Sequence, residues 1–214
     1  MALTVLCAMA CVVLVYAEYT KASLVRIAAK LFASSAFVAL AIVLPGTGNY
    51  AKAIVIGLVF GALGDAALLG KGSAAFMLGL VAFLIGHLAY VGAMTVPLAP
   101  GAWLAGAGVL AALPVVVGGT ALVLLWPKLG SMRLPVIIYV LTIVTMVIGA
   151  LAVWRTDALP SPQSDRLAIG ATLFFVSDLA VARDKFVAAS FVNRAWGLPA
   201  YYAGQLFIVW SMSG

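Results

Sequence analysis

The chain has 214 residues, of which 66% are hydrophobic and only 8% are charged, and its mean hydropathy is +1.23. A soluble domain of this size is about half apolar and about a quarter charged. The composition therefore excludes a soluble globular protein and predicts one whose solvent is lipid. The net charge of +6 comes from basic residues that occur singly between apolar runs. This scatter argues against nucleic-acid binding and is typical of residues that orient a chain in a membrane.

Apolar runs recur along the whole chain, and most are close to the length of about 20 residues that crosses a bilayer as a helix. Lipid cannot satisfy open backbone groups, so each run must be helical. We predict an all-α membrane protein with a single domain over residues 1–214. Its eight transmembrane helices are expected near residues 2–19, 23–44, 52–70, 74–96, 102–126, 132–153, 164–182 and 196–213.

Three features of the sequence refine this pattern. The turn PGTGN at 45–49 separates the second and third runs. Pro114 lies inside the fifth run and predicts a kink there, because proline removes a helical hydrogen bond. The segment 183–194 is the longest polar-edged connection, and its apolar spacing predicts a short helix lying in the membrane interface.

Lysine and arginine are distributed unequally between the two predicted faces of the membrane. One face has only Lys52, Arg155 and Arg166, and the other has Lys21, Arg26, Lys71, Lys128, Arg133, Arg183, Lys185 and Arg194. The face with more basic residues is expected to be cytoplasmic. We therefore expect an integral protein of a bacterial inner membrane with both termini on the non-cytoplasmic side.

Two acidic residues, Asp65 and Asp178, lie inside predicted spans. A charge there costs at least about 2.5 kcal/mol on insertion scales, so such residues are candidates for function. Each lies five or six residues from the cytoplasmic end of its span, which places both at a depth of roughly 8–9 Å. Each also follows a small residue, Gly64 or Ser177, that allows close helix approach. The alternative is a structural role, such as pairing with Lys30.

Other polar side chains are expected in the same bundle, most of them near the same depth. They are Lys30, Tyr139, Tyr202 and Gln205, with His87 and Tyr90 farther from the cytoplasmic face. Their convergence predicts a polar cavity in the cytoplasmic half of the bundle.

The available chemistry favours a pair of carboxylates. A zinc site lacks ligands, because the chain has one histidine and no cysteine near it. A serine hydrolase elbow of the G-x-S-x-G type is also missing. Two acids near one another tend to divide into one protonated and one ionised group, which suits general acid and base catalysis. Asp65 and Asp178 are therefore the candidate catalytic residues.

The order of short motifs resembles the lysoplasmalogenase (YhhN-like) family of eight-span membrane proteins. The motifs are Lys30, the Gly64–Asp65 step, Phe76–Gly79, Phe83, His87–Tyr90, Tyr139 with Met146, GATLFFVSD at 170–178 and YYAGQ at 201–205. The resemblance covers nearly the whole chain.

This resemblance implies hydrolysis of the vinyl ether bond of a lysoplasmalogen, with a lysophospholipid in the bilayer as the substrate. One aspartate would protonate the vinyl ether, and the other would stabilise the cation and accept a proton from water. Lys30 would contact the phosphate as a point charge. The remaining positioning residues would be His87, Tyr90, Tyr139, Tyr202 and Gln205, and no metal or cofactor is expected.

Two other functions fit membrane aspartates. In an intramembrane aspartyl protease one acid lies in a G-x-G-D step, but residues 62–65 read ALGD and Asp178 follows serine rather than tyrosine. In a proton-coupled transporter, paired carboxylates relay protons. Such transporters often contain inverted repeats, and the sequence has no recognisable one.

Overall fold

The computed structural model describes residues 1–44, 46 and 48–213, so Pro45 and Thr47 of the predicted PGTGN turn lie outside the described residues. The described part contains no β-strand, which confirms the all-α prediction. The nine α-helices within it are α1 Ala2–Thr20, α2 Ser23–Val43, α3 Gly48–Ala67, α4 Gly72–Met94, α5 Trp103–Ala107, α6 Ala112–Leu125, α7 Arg133–Arg155, α8 Gln163–Phe186 and α9 Phe191–Trp210.

Six segments of the described chain are long and apolar enough to cross a membrane. They are α1, α2, α3, α4, the broken segment Pro100–Lys128 that contains α5 and α6, and Gly130–Arg155 with α7. Helices α8 and α9 are as long, but α8 carries six charged side chains. The chain is thus an integral membrane protein by composition and length.

The helices form one bundle in which chain neighbours pack together along α1, α2, α3 and α4. Helix α4 then packs on α7, while α5 and α6 lie against α7. Helix α9 packs on α8 and returns to contact α1, α2 and α3, which closes the bundle. Large apolar side chains such as Val12, Leu24 and Val109 stay exposed on the outside. A bundle with an apolar exterior is suited to lipid rather than water.

The kink predicted at Pro114 is displaced toward the N-terminus. The fifth span is broken at Gly108, whose φ of 57° is in the left-handed region, and a 3₁₀ turn follows at Gly108–Ala111. Pro114 lies in the first turn of α6, where its missing N–H costs little. Arg155, at the end of α7, donates a hydrogen bond to the Ala107 carbonyl at 2.8 Å, which satisfies a backbone group at the break.

The prediction of an interfacial helix over 183–194 is wrong. Helix α8 continues to Phe186, and after a connection of four residues α9 begins at Phe191. The connection is held by side chains: Ser190 N donates to Asp184 Oδ1 at 2.9 Å, and Asn193 Nδ2 donates to the Ala188 carbonyl at 2.8 Å. These bonds tie the connection to the last turn of α8 and the first turn of α9, so the polar segment forms helix ends rather than a separate element.

Small residues bring α3 close to α4. A Cβ on Gly57 would collide with the ring of Tyr90, and a Cβ on Gly64 would lie 2.7 Å from the ring of Phe83. Ser177, the other small neighbour of a candidate acid, is buried and donates to the Phe174 carbonyl at 2.7 Å. The aromatic rings of α4 thus lie directly on the backbone of α3, which fixes the position of Asp65 relative to α4.

Candidate active site

Asp65 lies on α3 and is 1% exposed. Lys30 Nζ forms an ion pair with its Oδ1 at 2.9 Å, and Ser34 Oγ donates to its Oδ2 at 2.5 Å. Tyr202 OH lies 3.5 Å from the same Oδ2 and 3.3 Å from Ser34 Oγ. A buried carboxylate needs such compensation, because an isolated charge is costly out of water. Asp65 is therefore surrounded by the partners of an ionised carboxylate.

The local sequence explains how this cluster forms. Lys30 and Ser34 are four residues apart on α2, so they lie one turn apart on the same face. That face contacts α3, while Tyr202 arrives from α9. Ser34 was not among the residues predicted for the site from the sequence. The spacing of four from Lys30 was the available signal, although hydroxyl residues are common in membrane helices.

Asp178 on α8 has a different environment. Tyr139 OH donates to its Oδ2 at 2.8 Å. Within the described residues, the basic group that comes within 4.0 Å of it is His87, whose Nε2 is 3.7 Å from the same oxygen. The Asp178 side chain keeps 16% of its surface accessible. Asp178 therefore lacks a lysine or arginine partner in the described part of the chain, and its side chain is partly accessible.

His87 on α4 is fully buried among aromatic rings. Its ring centroid is 4.5 Å from that of Phe174 and 5.2 Å from that of Tyr139. Neither ring nitrogen has a hydrogen-bond partner in the described part of the protein. The distance of 3.7 Å to Asp178 is too long for a good hydrogen bond. His87 thus packs beside Asp178 without being bonded to it.

Tyr90 and Gln205 form a separate buried chain. Tyr90 OH donates to Gln205 Oε1 at 2.6 Å, and Gln205 Nε2 donates to Tyr201 OH at 3.2 Å. The Tyr201 ring lies edge-on to the rings of Phe83 and Phe174. The first bond links α4 to α9, and the second holds the Tyr201 hydroxyl in place.

One cavity contains both candidate acids. Of the residues predicted for the site, four line it: Lys30, Asp65, Tyr139 and Asp178. The other four, His87, Tyr90, Tyr202 and Gln205, are not among its lining residues. The rest of the lining is mainly apolar and includes Leu68, Phe76, Leu80, Phe83, Leu125, Val136, Ile143, Phe175, Leu179, Phe186, Leu198 and Tyr201. No three His, Cys, Asp or Glu side chains of the described chain lie close enough to hold a metal ion. The cavity therefore combines an apolar wall with two carboxyl groups.

A second, polar space adjoins this cavity, and we call it the vestibule. It shares Lys30, Leu68, Phe76, Val181, Gly197 and Leu198 with the cavity. Its other polar lining residues are Glu18, Arg26, Asp184, Lys185, Asn193 and Arg194. They come from the ends of α1, α2, α8 and α9 that lie at one end of the bundle. The vestibule is thus a charged space beside the apolar cavity.

Comparison with known proteins gives the family of the chain. The family model described as "YhhN family" matches residues 25–212, a range that contains every predicted site residue. The chain belongs to the YhhN family. The resemblance predicted from the order of motifs is thereby confirmed.

Three curated relatives are each about one third identical to this chain over the residues that align. "Lysoplasmalogenase TMEM86A" of Bos taurus is 34% identical over 170 residues, which cover 75% of this chain and 65% of the relative. The Homo sapiens protein of the same name is 34% identical over 164 residues, with the same two coverages. "Lysoplasmalogenase" of Mycobacterium bovis is 32% identical over 140 residues, which cover 63% of this chain and 49% of the relative. The chain thus spans less than two thirds of the length of each, and no solved structure matches it.

Proposed function

We propose that this protein is a membrane hydrolase that cleaves the vinyl ether bond of lysoplasmalogens. The products are a fatty aldehyde and a glycerophospho-base. The observation that carries the proposal is that Asp65 and Asp178 line a single, otherwise mainly apolar cavity. The curated relatives named lysoplasmalogenase support the choice of substrate.

The different surroundings of the two acids support different roles. Asp65 has an ammonium group at 2.9 Å and a donating hydroxyl at 2.5 Å, so we assign it the ionised form. Within the described residues no lysine or arginine lies within 4.0 Å of Asp178, and a carboxylate without such a partner is costly inside a membrane. We therefore assign Asp178 the protonated form and the role of general acid.

The reaction follows from these two states. Asp178 donates its proton to the vinyl ether carbon that is β to the ether oxygen, and this leaves an oxocarbenium ion. The Asp65 carboxylate stabilises that cation and accepts a proton as water adds to the carbon bonded to oxygen. The hemiacetal then collapses, with one proton moving from its hydroxyl to the leaving oxygen. The net reaction consumes one water and returns the proton to the carboxyl pair.

We also propose the arrangement in the membrane. Helices α8 and α9 pack against α7, α1, α2 and α3, so they are expected to span the bilayer with the other six segments. The excess of lysine and arginine then puts the vestibule and the polar end of the cavity in the cytoplasmic half, with both termini outside.

In a bacterial inner membrane, a cysteine at Lys71 is expected to react with an impermeant thiol reagent only after cells are opened. Reaction in intact cells would reverse the orientation.

The activity is tested with purified protein in detergent. We expect equal amounts of fatty aldehyde and glycerophospho-base from a lysoplasmalogen, and no cleavage of the saturated ether analogue with the same head group. The saturated analogue is the matched control, because it differs only at the bond that must be protonated.

Two outcomes would contradict this proposal. Folded protein that releases no aldehyde but moves protons with a solute across proteoliposomes would favour the transporter. Cleavage of a membrane peptide would favour the aspartyl protease.

A further inference from the structure

The vestibule contains more positive than negative side chains. Its lining includes four cations, Arg26, Lys30, Lys185 and Arg194, and two acids, Glu18 and Asp184. The ammonium group of Lys30 pairs with Asp65 in the neighbouring cavity. The three other cations face two acids, which leaves an excess of one positive charge.

The two acids are used to fix one arginine. Arg194 donates to Glu18 Oε2 at 2.9 Å and to Asp184 Oδ2 at 3.2 Å, so it joins α1, α8 and α9. Arg26 lies 3.8 Å from Glu18 Oε1 and extends the same network to α2. Asp184 also accepts from the Ser190 backbone, which holds the network at the start of α9. Arg194 is thus held by two carboxylates, and Arg26 lies beside the same network.

Lys185 provides the unneutralised charge. Its Nζ lies 4.4 Å from the centroid of the Phe76 ring, which is a cation–π contact. Within the described residues no carboxylate lies within 4.0 Å of this ammonium group. Phe76 lines both the vestibule and the cavity. A cation without a counter-ion is therefore held where the polar and apolar spaces meet.

We propose that the vestibule binds the phosphodiester of a lysophospholipid head group, with Lys185 as its main contact. A phosphodiester carries one negative charge, which matches the excess charge of the lining. The glycerol backbone is short, so a phosphate near Lys185 lets the ether-linked chain enter the adjoining apolar cavity that contains Asp65 and Asp178. The inference rests on the proposed function for the identity of the lipid. In this proposal the phosphate contacts Lys185 rather than Lys30, because the Lys30 ammonium group is already paired with Asp65.

Binding of two uncleavable lipids tests this site separately from catalysis. The probes are a 1-O-alkyl lysophosphocholine and the 1-O-alkylglycerol with the same chain, titrated into detergent-solubilised full-length protein. We expect Lys185→Gln to weaken binding of the phosphate-containing lipid about tenfold, the loss of one charge-assisted contact, and to leave binding of the alkylglycerol unchanged. Lys71→Gln is the matched control, because Lys71 is exposed at the start of α4 and does not line the vestibule. It is expected to change neither affinity.

The remaining outcomes separate the alternatives. If Lys185→Gln weakened the binding of both lipids equally, or of neither, the proposed head-group site would be overturned. Competition by inorganic phosphate as strong as that by glycerophosphocholine would show a general anion site and would also overturn it. Selective weakening in a protein that releases no aldehyde would support the lipid site while contradicting the proposed hydrolysis.

Discussion

Asp178→Asn is expected to lower kcat for lysoplasmalogen hydrolysis by a factor of about 10²–10⁴, the usual contribution of a general acid. The amide cannot donate a proton of comparable acidity to carbon. Its oxygen can still accept the hydrogen bond from Tyr139, which is 2.8 Å long in the wild type. The structure should therefore be retained, and KM should change little. The measurement is the initial rate of aldehyde release from protein whose folded state is verified by its thermal unfolding curve.

Asp165→Asn is the matched control for this substitution. Asp165 is also on α8, but it accepts from Trp154 and Ser161 at the surface and does not line the cavity. Its replacement is expected to leave kcat within a factor of about two, since surface changes usually have small effects. A folded Asp178→Asn variant with wild-type kcat would contradict the role of Asp178 as the acid.

Lys30→Met is expected to be the most destabilising substitution in the site. It leaves the Asp65 carboxylate, 1% exposed, without the ammonium group that lies 2.9 Å away. Breaking a buried ion pair by removing one partner costs about 3–5 kcal/mol, and the small exposure of Lys30 favours the lower end. We expect a clear fall in the free energy of unfolding and loss of aldehyde release. Thermal or denaturant unfolding in detergent measures the change in stability, and the initial rate of aldehyde release measures the loss of activity.

A second substitution separates stability from catalysis. Lys30→Met combined with Asp65→Asn removes both charges, and replacing a whole buried pair is often nearly neutral. The double variant should thus recover most of the lost stability while remaining inactive, because the carboxylate that stabilises the cation is gone. Lys52→Met, at an exposed lysine, is the control and should change stability by less than about 0.5 kcal/mol. A Lys30→Met protein as stable as the wild type would show that the pair does not hold the site together.

The sequence identified the two candidate acids but did not decide between the possible partners of Lys30. Asp65 and Asp178 stand out because acids are rare in apolar runs, and the rise per residue of a helix predicted a common depth for them. Depth does not give the direction in which a side chain points around the helix axis. The sequence therefore left two partners open for Lys30, a candidate acid or a phosphate, and the packed bundle shows the contact with Asp65. Tyr90 and Gln205 were predicted to position the substrate, and in the structure they bond to each other and do not line the cavity.

The sequence predicted the all-α class correctly, but it predicted the helix breaks and helix ends less well. Hydropathy identified the runs, whereas Gly108 is one of 21 glycines and nothing in its neighbours indicates a positive φ. The eighth run was expected to start at residue 196, yet α9 begins at Phe191. The polar residues before 196 are helical because Ser190 caps the helix, with its side chain accepting from Asn193 N. Polar side chains at that end also line the vestibule, which hydropathy alone does not anticipate.

In the proposed mechanism a carboxyl group of the cavity delivers a proton to carbon, and hydrolysis in D₂O follows that proton. The fatty aldehyde, trapped by reduction as it forms, should carry one deuterium on the carbon next to the carbonyl. Since Asp178 approaches the substrate from one side, we predict a single configuration at that carbon. An equal mixture of both configurations would mean that an enol leaves the protein and is protonated in solution, and it would exclude Asp178 as the proton donor to carbon.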